Sequence, residues 1–246
     1  MKPPHGWPRP DYARIAEATS SGRGFDDLTA RSPVPLNPAH TPLQYLRALF
    51  GATDTDFIWT APGGAQTGDT TALGKLDQSY RPALTVPSLL NARRGKKDNG
   101  DTSRRCSTMV SRRLFLVVET DFKPDAPGAA PTPAGELLKA NPNLPTPKDL
   151  SAAVAHHWLD IGWPVALILY SGGKSVHSWI ATWAHDDDTE AARMFSHATG
   201  LGADAALWTP CQPVRCPEGR REDGRKQPVL YIDPRFMLGE LPVLDY

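Results

Sequence analysis

The sequence lacks the features that mark secreted, membrane-spanning and zinc-stabilised proteins. Its 246 residues include only three cysteines, Cys106, Cys211 and Cys216, and none of them forms a Cys-x-x-Cys pair. No structural zinc is therefore expected, and the low cysteine count favours a reduced, cytoplasmic chain. No apolar run approaches the roughly 20 residues of a membrane span, and the first residues lack the apolar core of a signal peptide. We therefore expect no membrane partner.

Net charge is also absent, because 27 Lys and Arg residues balance 27 Asp and Glu residues. The distribution is uneven, however, with basic residues concentrated in 93–113 and again in 215–226. A charge run is most often a solvated face, but two runs flanking an acidic strand favour contact with a polyanion. The candidates for binding a nucleic-acid backbone are Arg93, Arg94, Lys96, Lys97, Arg104, Arg105, Arg112 and Arg113.

Proline divides the chain into regions, with clusters in residues 3–42 and 124–147. The first cluster predicts a proline-rich N-terminal arm over 1–40, and the second predicts a loop or insertion. Residues 41–110 predict a small α/β module that carries the basic segment, with a helix after Thr41-Pro42, a strand at 57–59 and loop structure over 61–75. Residues 111–246 form the remaining module. We expect these regions to fold together as one integrated domain.

The region after residue 114 has a regular succession of predicted elements. Apolar strands are predicted at 114–118, 165–170, 176–183 and 229–232, with helices beginning near Thr146 and Asp186. The order β-α-β-β-α-β is that of a ferredoxin-like or RNA-recognition-type sheet with helices on one face. The expected class is therefore α+β, with a palm of this type and a smaller N-terminal α/β module. Such a plan hosts many functions and assigns none.

Two acids end the first strand of this palm. Five apolar residues run directly into Glu119 and Asp121, which are two positions apart. Alternate side chains of a strand share a face, so the carboxylates point the same way and raise each other's pKa unless a cation lies between them. Hard divalent ions prefer such oxygen ligands. The pattern alone is equally compatible with solvated acids where a buried strand reaches a polar turn.

A second motif, residues 171–177, reads Ser-Gly-Gly-Lys-Ser-Val-His. Its glycines allow backbone N–H groups to approach an anion, and Lys174 adds a positive charge. Ser175 and His177 can face one ligand, although an ordinary hairpin turn explains the same pattern. Ile168 stands where a Walker motif needs glycine, so no P-loop is present.

A third group of residues follows the last predicted helix. Asp204 lies in a post-helical loop, where an acid is most often a turn former. Arg215 precedes Pro217 and Gly219, a setting that could hold a planar guanidinium against phosphate. Each of these signals is weak by itself.

Together the three motifs resemble the catalytic core of the archaeo-eukaryotic primase superfamily, the primase-polymerase group of phage, plasmid and bacterial replication proteins. Its first motif is a hydrophobic strand ending in two acids around one residue, its second is a Ser-x-His after a small turn, and its third is an acid after a helix. Residues 212–219 also resemble the Gln-Leu-x-Arg-x-Pro-Gly element of the replication-associated branch. The resemblance covers residues 112–234. It departs from the family at Glu119, where Asp is commoner, and at Glu218, which interrupts Pro-Gly.

The resemblance implies a DNA primase or polymerase that transfers nucleotides from NTPs or dNTPs to a 3′-hydroxyl on a single-stranded DNA template. It implies that Glu119, Asp121 and Asp204 hold two Mg²⁺ or Mn²⁺ ions, with His177 as a further catalytic residue. The implied nucleotide-binding residues are Ser171, Lys174, Ser175, His177 and Arg215. Because the chain contains no helicase motif, a replicative helicase is a further candidate partner.

Two other classes share features with this sequence. A rolling-circle replication initiator needs two histidines around one apolar residue and a nucleophilic tyrosine, whereas His156 and His157 are adjacent, one expected to be partly buried and one exposed. A non-catalytic single-strand-binding module would place aromatics where this chain has acids. The tryptophans are interpreted as core residues. Trp179 is also a candidate for the wall of the nucleotide pocket, because it shares a strand face with His177.

Overall fold

Capping residues set the starts of two central helices in the computed structural model, which describes residues 6–123, 132–185 and 187–242. The Thr41 hydroxyl accepts the N–H of Gln44, whose side chain accepts the N–H of Thr41, and Thr146 and Asp149 form the same reciprocal pair. These capping boxes satisfy N–H groups that a helix end leaves unpaired. The helices of the described chain are α1 (Tyr12–Ala18), α2 (Pro42–Phe50), α3 (Pro133–Ala140), α4 (Pro147–Asp160) and α5 (Thr189–Gly200).

The strands form two four-stranded sheets and two small hairpins within the described residues. Those of the N-terminal half are β1 (Phe57–Ala61), β2 (Asp69–Ala72), β3 (Leu84–Thr85), β4 (Gly95–Lys96) and β5 (Thr102–Ser103). Those of the C-terminal half are β6 (Phe115–Glu119), β7 (Val165–Tyr170), β8 (Val176–Ala181), β9 (Val214–Arg215), β10 (Gly219–Arg220), β11 (Lys226–Gln227) and β12 (Val229–Ile232).

The palm sheet has the order β12-β7-β8-β6 and is antiparallel throughout. The second sheet has the order β2-β1-β3-β9, so β9 from the C-terminal half joins strands from the N-terminal half. Residues 41–110 and 111–246 are therefore linked by a shared sheet. This linkage is the structural basis for treating the two modules as one unit.

The palm sheet is covered on both faces, which is why its strands are apolar almost without interruption. Ser151 of α4 contacts the face that carries Thr120, and Phe50 of α2 packs against Phe115 and Trp179 on the opposite face. Trp179 is fully buried there. It is a core residue of the palm and does not line the candidate pocket described below.

The mixed α+β class is confirmed, and so are the predicted bounds of β7 and β12. Four local expectations were wrong. Helix α1 lies in the predicted N-terminal arm, and its Ile15 is completely buried. Strand β2 lies in the predicted loop 61–75, and β8 ends at Ala181. The predicted loop 124–147 contains α3, while residues 124–131 lie outside the described chain.

The order of the palm strands also differs from a complete ferredoxin-like sheet. In that plan the last strand lies beside the first, whereas β12 pairs with β7 at the edge remote from β6. The edge of β6 is instead extended by a single antiparallel bridge between Thr120 and Ala203. None of the helices in the described ranges has the length and apolar character needed to cross a bilayer.

Candidate functional site

The pairing of β6 with β8 brings the first two motifs together. Glu119 lies directly opposite His177 in the register, so both side chains project from the same face of the palm. This is the face covered by α2 and the N-terminal sheet. Two residues that are 58 positions apart in sequence thus become neighbours because a β-hairpin aligns them.

Glu119 is held by groups that favour its ionised form. The Ser175 hydroxyl donates a 2.5 Å hydrogen bond to Oε1, and Nε2 of His177 lies 3.2 Å from Oε2. Burial opposes ionisation of this carboxyl, but His177, Ser175 and Arg215 outweigh that cost and lower its pKa to about 2. Glu119 is therefore a fixed anion at neutral pH.

His177 is buried behind this carboxylate. It is 3% exposed, it does not line the cavity described below, and neither ring nitrogen has a well-aligned hydrogen-bond partner. A buried polar atom without a partner is costly. The imidazole thus has unused hydrogen-bonding capacity next to Glu119.

The glycine turn between β7 and β8 is shaped by its own hydrogen bonds. Gly172 adopts a left-handed φ of 73°, the Ser171 N–H donates to the Ser175 carbonyl over 3.0 Å, and the Tyr170 hydroxyl donates to the Gly173 carbonyl. The turn places Nζ of Lys174 3.0 Å from Oδ1 of Asp121. The second acid of the first motif therefore already binds a cation.

These residues line one cavity of about 550 Å³. Its walls carry two carboxylates, two hydroxyls and four basic side chains, contributed by Glu119, Asp121, Ser171, Ser175, Lys174, Arg215, Arg221 and Arg225. The cations outnumber the carboxylates even when Asp223, which pairs with Arg221 and Arg225, is counted, so the cavity suits an anionic ligand.

Arg215 enters the cavity from the N-terminal sheet. Its strand, β9, pairs with β3 through Leu84. Burial lowers the pKa of Arg215, neighbouring Arg221 lowers it further, and Glu119 offsets only part of this effect. The positive charge of the guanidinium is thus only partly balanced by nearby carboxylates, and an anionic ligand would balance the rest.

Asp204 lies next to Glu119 but is committed to another contact. Its N–H donates to the Glu119 carbonyl over 2.9 Å, while its carboxylate accepts the N–H of Ala206 and caps the short 3-10 turn Ala205–Trp208. Asp204 does not line the cavity, and the described residues contain no group of three ligating side chains placed to hold a metal ion. The expected three-carboxylate set is therefore reduced to Glu119 and Asp121, with Asp204 adjacent along the backbone.

That pair nevertheless fits a divalent cation in its chemistry. Both acids supply oxygen ligands to the same cavity, and Asp121 holds the ammonium of Lys174. A position that binds one cation electrostatically can bind another. Glu119 and Asp121 are the residues that would hold it.

A buried hydroxyl pair supports the site from behind. Oγ of Ser151 lies 3.1 Å from Oγ1 of Thr120 and accepts the N–H of Val176 over 3.1 Å. One residue of α4 thus ties the end of β6 to the start of β8. Neither Ser151 nor Thr120 was predicted, because isolated hydroxyls in apolar segments carry no pattern that signals pairing.

The basic segment 93–113 separates into structural and exposed residues. Arg105 lies over the Trp59 ring and bonds the Cys211 carbonyl, Arg112 bonds the Trp183 carbonyl, and Arg113 is buried against Trp208 and Asp188. These three stabilise the fold. Arg112 is nevertheless exposed, as are the other five basic residues, and Arg94 and Arg104 lie near Asp69. In the described chain Arg93, Lys96 and Lys97 have no ion-pair partner, and they lie on or beside the hairpin β4–β5.

Both adjacent histidines of α4 are more buried than expected. His156 is completely buried with Nε2 3.0 Å from the Gly24 carbonyl, and His157 is half-buried with Nε2 3.3 Å from Nε2 of His197. Because the Arg14 guanidinium donates to Nδ1 of His197, the proton between the rings belongs to His197. This contact joins α4 to α5 and is unrelated to the candidate site.

We expect this histidine contact to make stability depend on pH. Burial lowers the pKa of both His157 and His197, and Arg14 lowers them further. The unfolded chain therefore binds protons more readily, and stability should fall as the pH drops through about 6.5. Urea unfolding at pH 7.5 and 5.5 measures this loss.

The matched variants are His197→Gln and His185→Gln, since His185 is exposed. The first should lose about 1 kcal/mol of stability at pH 7.5 and show a smaller decrease on acidification than wild type. The second should behave as wild type. An equal pH response in all three proteins would contradict a role for the contact.

Two residues of the cavity were missed as site residues. Arg221 and Arg225 belong to the second basic run, and the turn between β10 and β11 directs them to the cavity. The run itself was visible in the sequence. Its direction was not, because it depends on the pairing of two-residue strands.

Comparisons with family models, with curated proteins and with solved structures found no match for this chain. The resemblance to primase-polymerases therefore depends on the motifs and on the geometry of the cavity.

Proposed function

We propose that the protein is a nucleotidyltransferase of the primase-polymerase type, with the four-stranded antiparallel palm sheet as its catalytic module. The supporting observation is that the two acids, the Ser-Gly-Gly-Lys-Ser turn and Arg215 line one cavity. They come from three separate regions of the sequence. A non-catalytic binder of nucleic acid would gain nothing from two carboxylates on the wall that meets phosphate.

In this proposal the cavity holds the triphosphate of an incoming NTP or dNTP. Lys174, Arg215, Arg221 and Arg225 neutralise the phosphates, and the hydroxyl of Ser171 donates a hydrogen bond to them, while the Ser175 hydroxyl remains bonded to Glu119. Catalysis of phosphoryl transfer depends chiefly on positioning and charge stabilisation, which such a cavity supplies. His177 lies behind Glu119, with Nε2 3.2 Å from Oε2.

The reaction joins the 3′-oxygen of a growing strand to the α-phosphorus and releases pyrophosphate. Glu119 and Asp121 are the proposed ligands of the Mg²⁺ or Mn²⁺ ions, and Asp204 lies beside Glu119 along the backbone. When bound, the ions would promote ionisation of the 3′-hydroxyl and neutralise the leaving pyrophosphate. The low pKa of Glu119, about 2, keeps that ligand ionised throughout the neutral range.

The decisive experiment is nucleotide incorporation on single-stranded DNA. The protein is incubated with template, Mn²⁺ and labelled NTPs or dNTPs, with and without a primer, and the products are separated by length. Products that lengthen only with template would support the proposal. Absence of incorporation under all of these conditions would refute it, and adding a replicative helicase would test that partner separately.

The template is proposed to follow the hairpin β4–β5. Replacing Arg93, Lys96 and Lys97 with glutamine should weaken binding and reduce the slope of log K against log salt by about 2, since each phosphate contact on a single strand contributes roughly 0.7. Fluorescence anisotropy with labelled single-stranded DNA measures the slope.

The control replaces three exposed basic residues elsewhere, Arg9, Lys75 and Arg193, and should leave the slope almost unchanged. Equal slopes for the two triple variants would place the template on another surface.

A further inference from the structure

We infer that Lys174 is a displaceable counter-ion of Asp121. When a ligand binds, the Lys174 ammonium moves to the phosphates of the ligand and a divalent ion takes its place at Asp121. The inference rests on the proposed function and adds a regulatory step to the same site. Lys174 would thereby weaken metal binding until a phosphate ligand is present.

The two carboxylates of the site are held very differently. Glu119 is 23% exposed, accepts a hydrogen bond from Ser175 and lies against the buried ring of His177. Asp121 is 36% exposed and contacts the ammonium of Lys174, which is itself 46% exposed. An ion pair that is this open to water is weak and exchanges readily. Asp121 is therefore the carboxylate whose partner can change.

The backbone of the turn does not need to move for this exchange. Hydrogen bonds from the Ser171 N–H and the Tyr170 hydroxyl fix the turn on both sides of Lys174. The lysine side chain is long and flexible, and Lys174 itself lines the cavity together with Arg215, Arg221 and Arg225. Its ammonium can therefore turn from Asp121 to a phosphate by side-chain rotation alone.

Electrostatic repulsion disfavours binding of Lys174 and a divalent ion to Asp121 at the same time. An ammonium and a divalent ion at the same carboxylate repel each other, so the lysine competes with the metal while no phosphate is bound. A phosphate offers the ammonium another partner and removes this competition. The result is coupling between phosphate binding and metal binding.

Metal affinity in the absence of phosphate tests the exchange. Mn²⁺ binding is measured by the electron paramagnetic resonance signal of the free ion, for wild type, Lys174→Met and Lys123→Met. Lys123 is an exposed basic residue two positions from Asp121 that does not line the cavity. Lys174→Met should bind Mn²⁺ about three- to tenfold more tightly, from loss of a weak ion pair and of the repulsion, while Lys123→Met should stay within about twofold of wild type.

A second measurement uses the unmodified protein. Acetylation of lysines, read by mass spectrometry, reports how free each ammonium is. Mn²⁺ alone should increase labelling of Lys174, and adding a non-hydrolysable nucleoside triphosphate should then protect it, whereas labelling of Lys75 should not change.

The outcomes separate this inference from the proposed function. Equal Mn²⁺ affinity in wild type and Lys174→Met, or labelling of Lys174 that does not change when Mn²⁺ is added, would overturn the exchange and leave the polymerase proposal intact. Failure of every protein to bind Mn²⁺ would overturn both.

Discussion

Asp121→Asn is expected to abolish nucleotide incorporation while template binding stays nearly intact. The substitution keeps the shape of the side chain but removes the negative charge that binds Lys174 over 3.0 Å and that would hold a divalent ion. Loss of one such charge-stabilising group typically costs about 100-fold or more in rate. The rate of primer extension with Mn²⁺ and the anisotropy of labelled single-stranded DNA measure the two properties.

The control for this variant is Asp26→Asn, which changes an exposed acid outside the cavity. It should extend primers at the wild-type rate. Loss of both extension and template binding in Asp121→Asn, together with a lower unfolding temperature, would indicate misfolding. Unchanged extension would show that Asp121 has no part in the reaction.

The acidic end of β6 shows how much of this site the sequence could predict. An apolar run followed by acids at i and i+2 predicts a strand whose carboxylates share a face, and β6 ends at the first of these acids, Glu119. The Gly-Gly turn dictates a hairpin, and pairing of that hairpin with β6 sets Glu119 opposite His177. Local periodicity and turn chemistry were sufficient here because the strands are five and six residues long.

Helix α3 shows where the same rules misled. Its region was predicted to be a loop because prolines are frequent there. Pro133, however, occupies the first turn of the helix behind the capping hydroxyl of Thr132, and at that position proline lacks only an N–H that would be unpaired anyway. Proline is common both in the first turn of a helix and just beyond its end, and the capping residue distinguishes the two.

The arginines of the cavity could not be predicted by pattern at all. Strand β9 has two residues, Val214 and Arg215, and two residues carry no periodicity. Its place in the sheet follows from pairing with β3, a strand of equal length more than a hundred residues away. Such contacts are set by tertiary packing, so the sequence shows that an arginine is present but not where its side chain lies in the folded protein.

Arg215→Ala is expected to weaken binding of a nucleoside triphosphate by about 10- to 100-fold. A hydrogen bond to a charged group contributes about 1.5–3 kcal/mol, and Arg215 is a half-buried guanidinium that faces the cavity. Arg215→Lys keeps the charge but loses the planar fork, so its loss should be intermediate. Calorimetric titration with a non-hydrolysable analogue and Mn²⁺ gives the affinities.

Arg220→Ala is the matched control, because Arg220 belongs to the same basic run but is exposed and does not line the cavity. It should bind the analogue as wild type does. Arg215→Ala should also raise the pKa of Glu119, since the guanidinium is one of the groups that lower it, and the acidic limb of the binding profile should move to higher pH. A triphosphate affinity that is equal in Arg215→Ala and Arg220→Ala would show that the arginine contributed by the N-terminal sheet takes no part in binding.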